Sequence, residues 1–377
     1  MKKFNRATAT PLALLSVLIS LVLVACGDPT ATTAPATTAA STATTAPALA
    51  TTVASVATTA AGNTSAAGPA IKVRITHVGV AGTSFGKAAI RFKELAAQKT
   101  NNRVQVEVFP DVSLAGGNNR TALEQLQTGA VEATIHSNLI YTSFDPKMEV
   151  FSLPYIMISR ENAYKVIDSP AGKEILEGLD KINIVGLAYG ENGFRQITNS
   201  KKPIVKPEDI KGLKIRVPET NLYVNTMKAL GADPTVMTFS EVYNALQLKT
   251  IDGQENPLSI IDSSKLYEVQ KYITKWDYSW DTAIIGFNKK FWETLPADVQ
   301  GALRSAAQEA AMYMRDLVKQ DDLTLADVLT KKGLEFTVLT ADQKKPFIDA
   351  TKSIYAASES KIGKDLLEKV RLIGQGS

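Results

Sequence analysis

The sequence predicts an α/β fold, and three observations carry that prediction. From Ile71 onward, short runs of alternating apolar residues take turns with runs of helical period. Between Pro296 and Lys332 a helical period persists with almost no strand or turn signal; at 1.5 Å per residue this is a rod of ~50 Å, longer than one small lobe. The 377 residues, 45% hydrophobic and 21% charged, suffice for two ordinary domains once an atypical N-terminus is set aside.

The elements follow in order. "IKVRITHV" (71–78) alternates as a strand, and Phe85, Ala89, Phe92, Leu95 and Ala96 then recur at helical spacing. "RVQVEVF" (103–109) is a second strand, closed by Pro110 and Asp111. Leu123 and Leu126 mark a helix that stops near Gly129, and "VEATIH" (131–136) is a third strand. Strand and helix in alternation imply right-handed crossovers. "INIVGLAY" (182–189) is apolar enough for a central strand. "KPEDIKG" (206–212) is a short helical turn with Pro207 near its start. In "LKIRV" (213–217) Leu213, Ile215 and Val217 share one face and Lys214 and Arg216 the other. A helix over 219–231 ends at Gly231. Another covers 238–250, where Thr238 and Glu241 fit a capping box. After the long rod and Gly333 come a last strand, "LEFTVL" (334–339), and two helices.

Residues 1–25 read as an export signal: Lys2, Lys3 and Arg6 precede an apolar stretch of about fifteen residues, short for a span of ~30 Å. It ends in "LVAC" (23–26), which resembles the lipobox of bacterial lipoproteins and implies cleavage before Cys26 and lipid attachment to its sulfur. Cys26 is the only cysteine, so no internal disulfide or cysteine-based metal site is open to the chain. From there to Ala70 the chain is nearly all Thr, Ala, Pro and Ser, a composition that cannot bury enough surface to fold. We expect a disordered tether over 26–70, spanning roughly 35–40 Å as a flexible coil. The net charge of +4 falls to +1 once Lys2, Lys3 and Arg6 are removed, and no basic stripe remains to bind nucleic acid.

Catalytic motifs are absent from the text. His77 and His136 are the only histidines, and no G-x-S-x-G elbow or H-E-x-x-H spacing accompanies them. "GTSFGK" (82–87) lacks the full phosphate-loop pattern and reads as a Gly-rich turn from strand to helix. The aromatics of "WDYSWD" (276–281), Trp280 among them, suit either a platform for a sugar-like ligand or the core. Arg195, Arg216 and Asn256 each follow a strand-like run beside Gly or Pro. Taken singly, each suits a surface or turn position.

Together, and in this order, they resemble the substrate-binding protein of tripartite ATP-independent periplasmic (TRAP) transporters, the DctP-like group. The text that carries the likeness is "GFRQITN" (193–199), "DIKGLKIRVPET" (209–220), "FSEVYNALQLKTIDGQENP" (239–257) and "NKKFWETLP" (288–296), with "RVQVEVFP" (103–110) and "VFSLPYIM" (150–157). It runs from about Ile71 past Lys332. The resemblance implies a two-lobe, periplasmic-binding-protein-like fold with hinge strands and a long helix spanning both lobes. Lobe I would comprise 71–193 plus about 282–315, and lobe II 194–281 plus about 316–377. It implies that Arg216 forks both oxygens of a small organic acid, that Arg195 is a second cationic contact, that Asn256 donates to the same ligand, and that Phe239 packs near the ligand's body. Possible walls from the first lobe are His77, Asn118, Asn119, His136, Ser137, Asn138 and Tyr141. Sialic-acid-binding members carry a glutamate where Ser137 stands, so that ligand is not expected. The implied role is capture without chemical change, with no catalytic residue, cofactor or metal. The chain would be a monomer held to the membrane outside the cytoplasm, serving TRAP membrane subunits. A ligand-presenting sensor for a membrane receptor and an exported hydrolase are the alternatives.

Overall fold

The computed structural model describes residues 70–376. The expected export signal, the lipid site at Cys26 and the tether up to residue 69 lie outside them. The strands, in chain order, are β1 (Ile71–His77), β2 (Val104–Phe109), β3 (Ala133–Ser137), β4 (Ile184–Phe194), β5 (Gln196–Asn199) and β6 (Lys214–Val217). After these come β7 (Asp233–Val236), β8 (Gly253–Asn256), β9 (Tyr272–Lys275), β10 (Trp280–Asn288) and β11 (Glu335–Val338). They form two sheets. The first has the order β2-β1-β3-β10-β4, the second β11-β9-β5-β8-β6-β7. Strands β1, β2 and β3 are parallel and β10 runs against β3 and β4. In the second sheet β6 is parallel to both β7 and β8. The chain passes from one sheet to the other at Arg195, between β4 and β5, and returns between β9 and β10. The two crossings lie side by side: Arg195 N donates to Ser279 O (2.9 Å), and Gln196 Oε1 accepts from Trp276 N (3.0 Å) and Asp277 N (3.1 Å).

Helix Ser84–Lys99 buries the predicted face, Phe85, Ala89, Phe92, Leu95 and Ala96, against β1 and β10. Each large side chain so buried contributes about 1.5–3 kcal/mol. Its first turn is held by Thr83, whose hydroxyl accepts from Gly86 N at 3.2 Å, so "GTSFGK" is a helix cap. The predicted rod is helix Ala297–Lys331. Its first half, from Val299 to Met314, packs into the core of the first sheet. Leu325 and Leu329 join a separate core with Leu258, Ile261 and Leu334 beside the second. Gly193 (φ +117°) sits where the rod passes the crossing, and a Cβ there would lie 3.1 Å from Val318. Helices Ala341–Ile362 and Lys364–Gly374 close the chain; the last packs on helices Arg160–Ile167 and Pro170–Gly178, in the stretch expected with lobe I.

The helix expected over 238–250 differs from its prediction. It is a 3-10 turn, Phe239–Glu241, followed by helix Val242–Gln247, and Thr238 makes no side-chain cap. The Thr238 hydroxyl instead donates across the gap to Gly117 O (3.2 Å), which also accepts from Ser240 Oγ (3.4 Å).

Candidate functional site

In a parallel sheet the loops beyond the carboxyl ends of the strands are free to build a site. Here the carboxyl ends of β1 and β3 face those of β6 and β8 across a cavity of about 60 Å³. The first-sheet side supplies Val78, Phe85, Asn119, Ser137, Leu139 and Asn192. The second-sheet side supplies Arg216, Pro218, Phe239, Asn256 and Ile260, and Arg195 lies at the crossing.

Arg216 is 3% exposed. Its strand neighbours Ile215 and Val217 fill the core, as the alternation requires. On the other face Lys214 is out in solvent, but two residues on the strand dips into the cavity. Nε and Nη2 of Arg216 both donate to Met237 O, at 3.0 and 2.7 Å. That leaves the Nη1/Nη2 edge, whose two donors can fork a carboxylate. Among the described residues Arg216 forms no ion pair. Burial pulls its pKa down to about 10, against the attraction of Glu255. The guanidinium is therefore still charged at neutral pH. Phe239 lies under it, 5.7 Å from ring centre to Cζ.

Arg195 is equally buried and differently employed. It pairs with Glu255 through Nε, gives Nη2 to Glu255 Oε1 (2.9 Å) and Glu255 O (2.7 Å), and gives Nη1 to Asp281 Oδ2 (2.7 Å). Burial opposes its charge, but Glu255 and Asp281 outweigh burial and hold the pKa high. Tyr223 and Ser152 donate to Asp281 Oδ1 (2.9 and 2.7 Å), and Tyr278 donates to Glu255 Oε2 (2.7 Å). The network ties the two crossings together. Asn256 belongs to it: Oδ1 accepts from Arg195 Nη2 (3.3 Å) and Nδ2 donates to Gln254 Oε1 (2.6 Å).

Arg216, Arg195, Asn256, Phe239, Ser137 and Asn119 thus meet at one cavity, as expected of a common site. Six expected positions do not: His77 and Tyr141 are fully buried away from it, Asn138 is tied to Met148 O and Ser152 Oγ, and Trp280, His136 and Asn118 lie elsewhere too. Trp280 is fully buried in the core and its Nε1 donates to Glu191 Oε1 (2.9 Å), so its face is not open to a ligand. His136 is one residue before the wall residue Ser137 and so points to the other face of β3, fully buried. Burial and then His77 push its pKa down to about 3. Asn118 caps helix Asn119–Thr128, its Oδ1 accepting from Thr121 N (2.8 Å). Its neighbour Asn119 faces the cavity in its place. Neither histidine reaches a hydroxyl or carboxylate among the described residues, so no Ser–His–acid array is built on them. Sequence reasoning missed Asn192, Ile260 and Pro218. Pro218 was within reach, because it follows Arg216 by two residues.

Two larger grooves, of about 880 and 700 Å³, lie elsewhere. The charged groups in the first, such as Arg160 with Asp322 and Lys344 with Asp277, are already paired. Of these three, the small cavity combines buried position with a guanidinium edge that has no carboxylate partner among the described residues.

A sequence profile described as "Bacterial extracellular solute-binding protein, family 7" (DctP) matches residues 75–361. The chain belongs to the DctP family. It is 36% identical over 306 residues to the C4-dicarboxylate-binding periplasmic protein DctP of Rhodobacter capsulatus, covering 80% of this chain and 90% of that protein. Among solved structures, a TRAP periplasmic solute-binding protein from Ralstonia eutropha with bound (S)-2-acetolactate superposes with a TM-score of 0.79 at 31% identity, covering 81% of this chain and 99% of that one. The sugar-acid-binding protein of Advenella mimigardefordensis, in complex with galactonate, gives 0.78 at 30% identity, with 81% and 98% covered. The DctP-family fold is therefore the two-lobed, TRAP-type arrangement, and these relatives are binding proteins of transport systems. In this DctP-family chain no helix among the described residues is long and apolar enough to cross a membrane.

Proposed function

We propose that this chain captures a small organic carboxylate outside the cytoplasm, unchanged, and delivers it to the membrane subunits of a TRAP transporter. In this reading Arg216 is the clamp: its Nη1/Nη2 edge forks the two carboxylate oxygens while Met237 O fixes the other edge. Asn256 and Arg195 frame the site, and Arg195 acts chiefly by holding Glu255 and Asp281 in place. Phe239 and Ser137 form walls. The single observation that carries the reading is the buried Arg216 guanidinium that pairs with no carboxylate among the described residues. The relatives' ligands, all carboxylic acids, support it.

A ligand that touches both lobes binds the closed form better and shifts the population toward it. The closed form is what the membrane subunits would receive. We further propose that lipid on Cys26 and the 26–70 tether keep the protein at the membrane surface, as a monomer without cofactor.

Calorimetry on the full-length protein with a panel of short hydroxy, keto, dicarboxylic, amino and sugar acids tests the clamp. At least one acid binds the wild type; Arg216→Ala weakens it by at least ~3 kcal/mol, about 150-fold, because a buried carboxylate loses its partner. Arg216→Lys also fails substantially, since one ammonium cannot fork two oxygens. Unchanged affinity in Arg216→Ala would remove the clamp role. Loss of lipid labelling in Cys26→Ala checks the anchor.

A further inference from the structure

We infer that the ligand is a short, branched aliphatic hydroxymonocarboxylate rather than a dicarboxylate or a sugar acid; this rests on the carboxylate-capture reading above and narrows it. Three features of the cavity converge. The first is charge. Its lining holds two cations, Arg195 and Arg216, and no lysine or histidine. Arg195 is neutralised by Glu255 and Asp281, two carboxylates against one guanidinium. One unpaired cation therefore remains for one anionic group. A second ligand carboxylate would stand buried beside an already acidic cluster, which is costly without a partner.

The second feature is surface. Val78, Phe85, Leu139, Ile140, Phe239 and Ile260 are six of the fourteen residues of the wall, beside Pro218. Six apolar side chains suit methyl and methylene groups and leave a chain of hydroxyls without partners. The volume points the same way: at about 60 Å³ the cavity is small, which favours a short acid over a long polyhydroxy chain.

The third feature is a pair of unmatched amides. Asn119 Oδ1 and Asn192 Oδ1 are buried, and neither accepts a hydrogen bond. Both residues are more than nine-tenths buried and both line the cavity. Asn192 is anchored by its Nδ2, which donates to Asp281 Oδ2 at 3.3 Å. A buried acceptor without a donor is unfavourable, and a hydroxyl group, able to donate and to accept, completes either amide whichever way it is turned. Two such acceptors call for one or two ligand hydroxyls, not five.

The experiment is calorimetric competition on the full-length protein with four probes: 2-hydroxy-3-methylbutanoate, 3-methylbutanoate, succinate and gluconate. We expect the branched hydroxy acid to bind at least tenfold more tightly than each of the others. Asn119→Leu should bring its affinity within about threefold of that of 3-methylbutanoate, because the hydroxyl has lost a partner while the apolar walls remain. If succinate or gluconate binds as well as the hydroxy acid, and Arg216→Ala abolishes that binding, the substrate class is overturned while carboxylate capture stands. If none of the four binds, the class is likewise overturned, and the wider acid panel decides whether capture falls with it.

Discussion

A guanidinium carries five N–H donors, and the two buried arginines of the cleft use them differently. Arg195 is committed to Glu255, Asp281 and Asn256, whereas Arg216 gives one edge to a carbonyl and keeps the other. A bound carboxylate favours the protonated form of Arg216, so affinity should be constant between about pH 6 and 9. It should then fall as pH rises through about 10, approaching a factor of ten per unit, because the unliganded residue loses its charge there. Calorimetry across that range reads it directly; constant affinity up to pH 11 would mean that Arg216 keeps its charge there or that another group holds the anion. Trp280 gives the opposite kind of test. Trp280→Phe removes the donor to Glu191 inside the core and should cost about 1–3 kcal/mol of stability, lowering the melting temperature by several degrees. Ligand affinity should stay as it was, since the indole is not part of the cavity. Arg216 was legible because alternation separates its face from the core face and the surrounding text matches a family. Asn118 was misplaced because its side chain caps a helix, a local role that its neighbour Asn119 is free of; Trp280 and His136, both on strands, share another reason. Alternation gives two faces of a strand, but only packing decides which of them meets the cleft.

At the scale of elements, most strands and helices follow from period and punctuation. Gly129 stops a helix in the left-handed conformation that its text announces, and the long rod covers the predicted residues almost end to end. The segment after Thr238 did not follow its capping signal. Its hydroxyl has a partner 121 residues away, Gly117 O, on the other side of the cleft, and no local pattern contains that fact. The contact joins the two sides at the mouth of the cavity. Thr238→Val should therefore weaken ligand binding by about 0.5–1.5 kcal/mol, roughly two- to twelvefold, mainly through faster release. The ligand-free melting temperature should hardly move. Stopped-flow dissociation checks this; an unchanged release rate would make the contact incidental to closure.

At the scale of the molecule, the two sheets are joined by two strand crossings and by one helix that runs through both cores. The acidic and aromatic groups at the crossings, Glu255, Asp281, Tyr223 and Tyr278, are bound to one another and to Arg195, so the hinge is polar yet nearly saturated with hydrogen bonds. Saturation of this kind lets the crossings bend without exposing an unpaired charge. The rod was legible from its period, and its length of ~50 Å outruns one small lobe; the two-lobe plan itself was implied by the resemblance to TRAP binding proteins. The pairing of sheet strands across long separations, such as β4 with β10, was not legible, because register between distant segments leaves no trace in either.

Helix Ala297–Lys331 has a consequence for how the protein comes apart. Val299 to Met314 fill one interior and Leu325 and Leu329 another, so heat cannot dissolve either interior without stripping the same rod from its neighbour. Scanning calorimetry should show one endotherm whose calorimetric and van't Hoff enthalpies coincide. A fragment that stops before Ala297 should not fold at all, although it contains ten of the eleven strands described here.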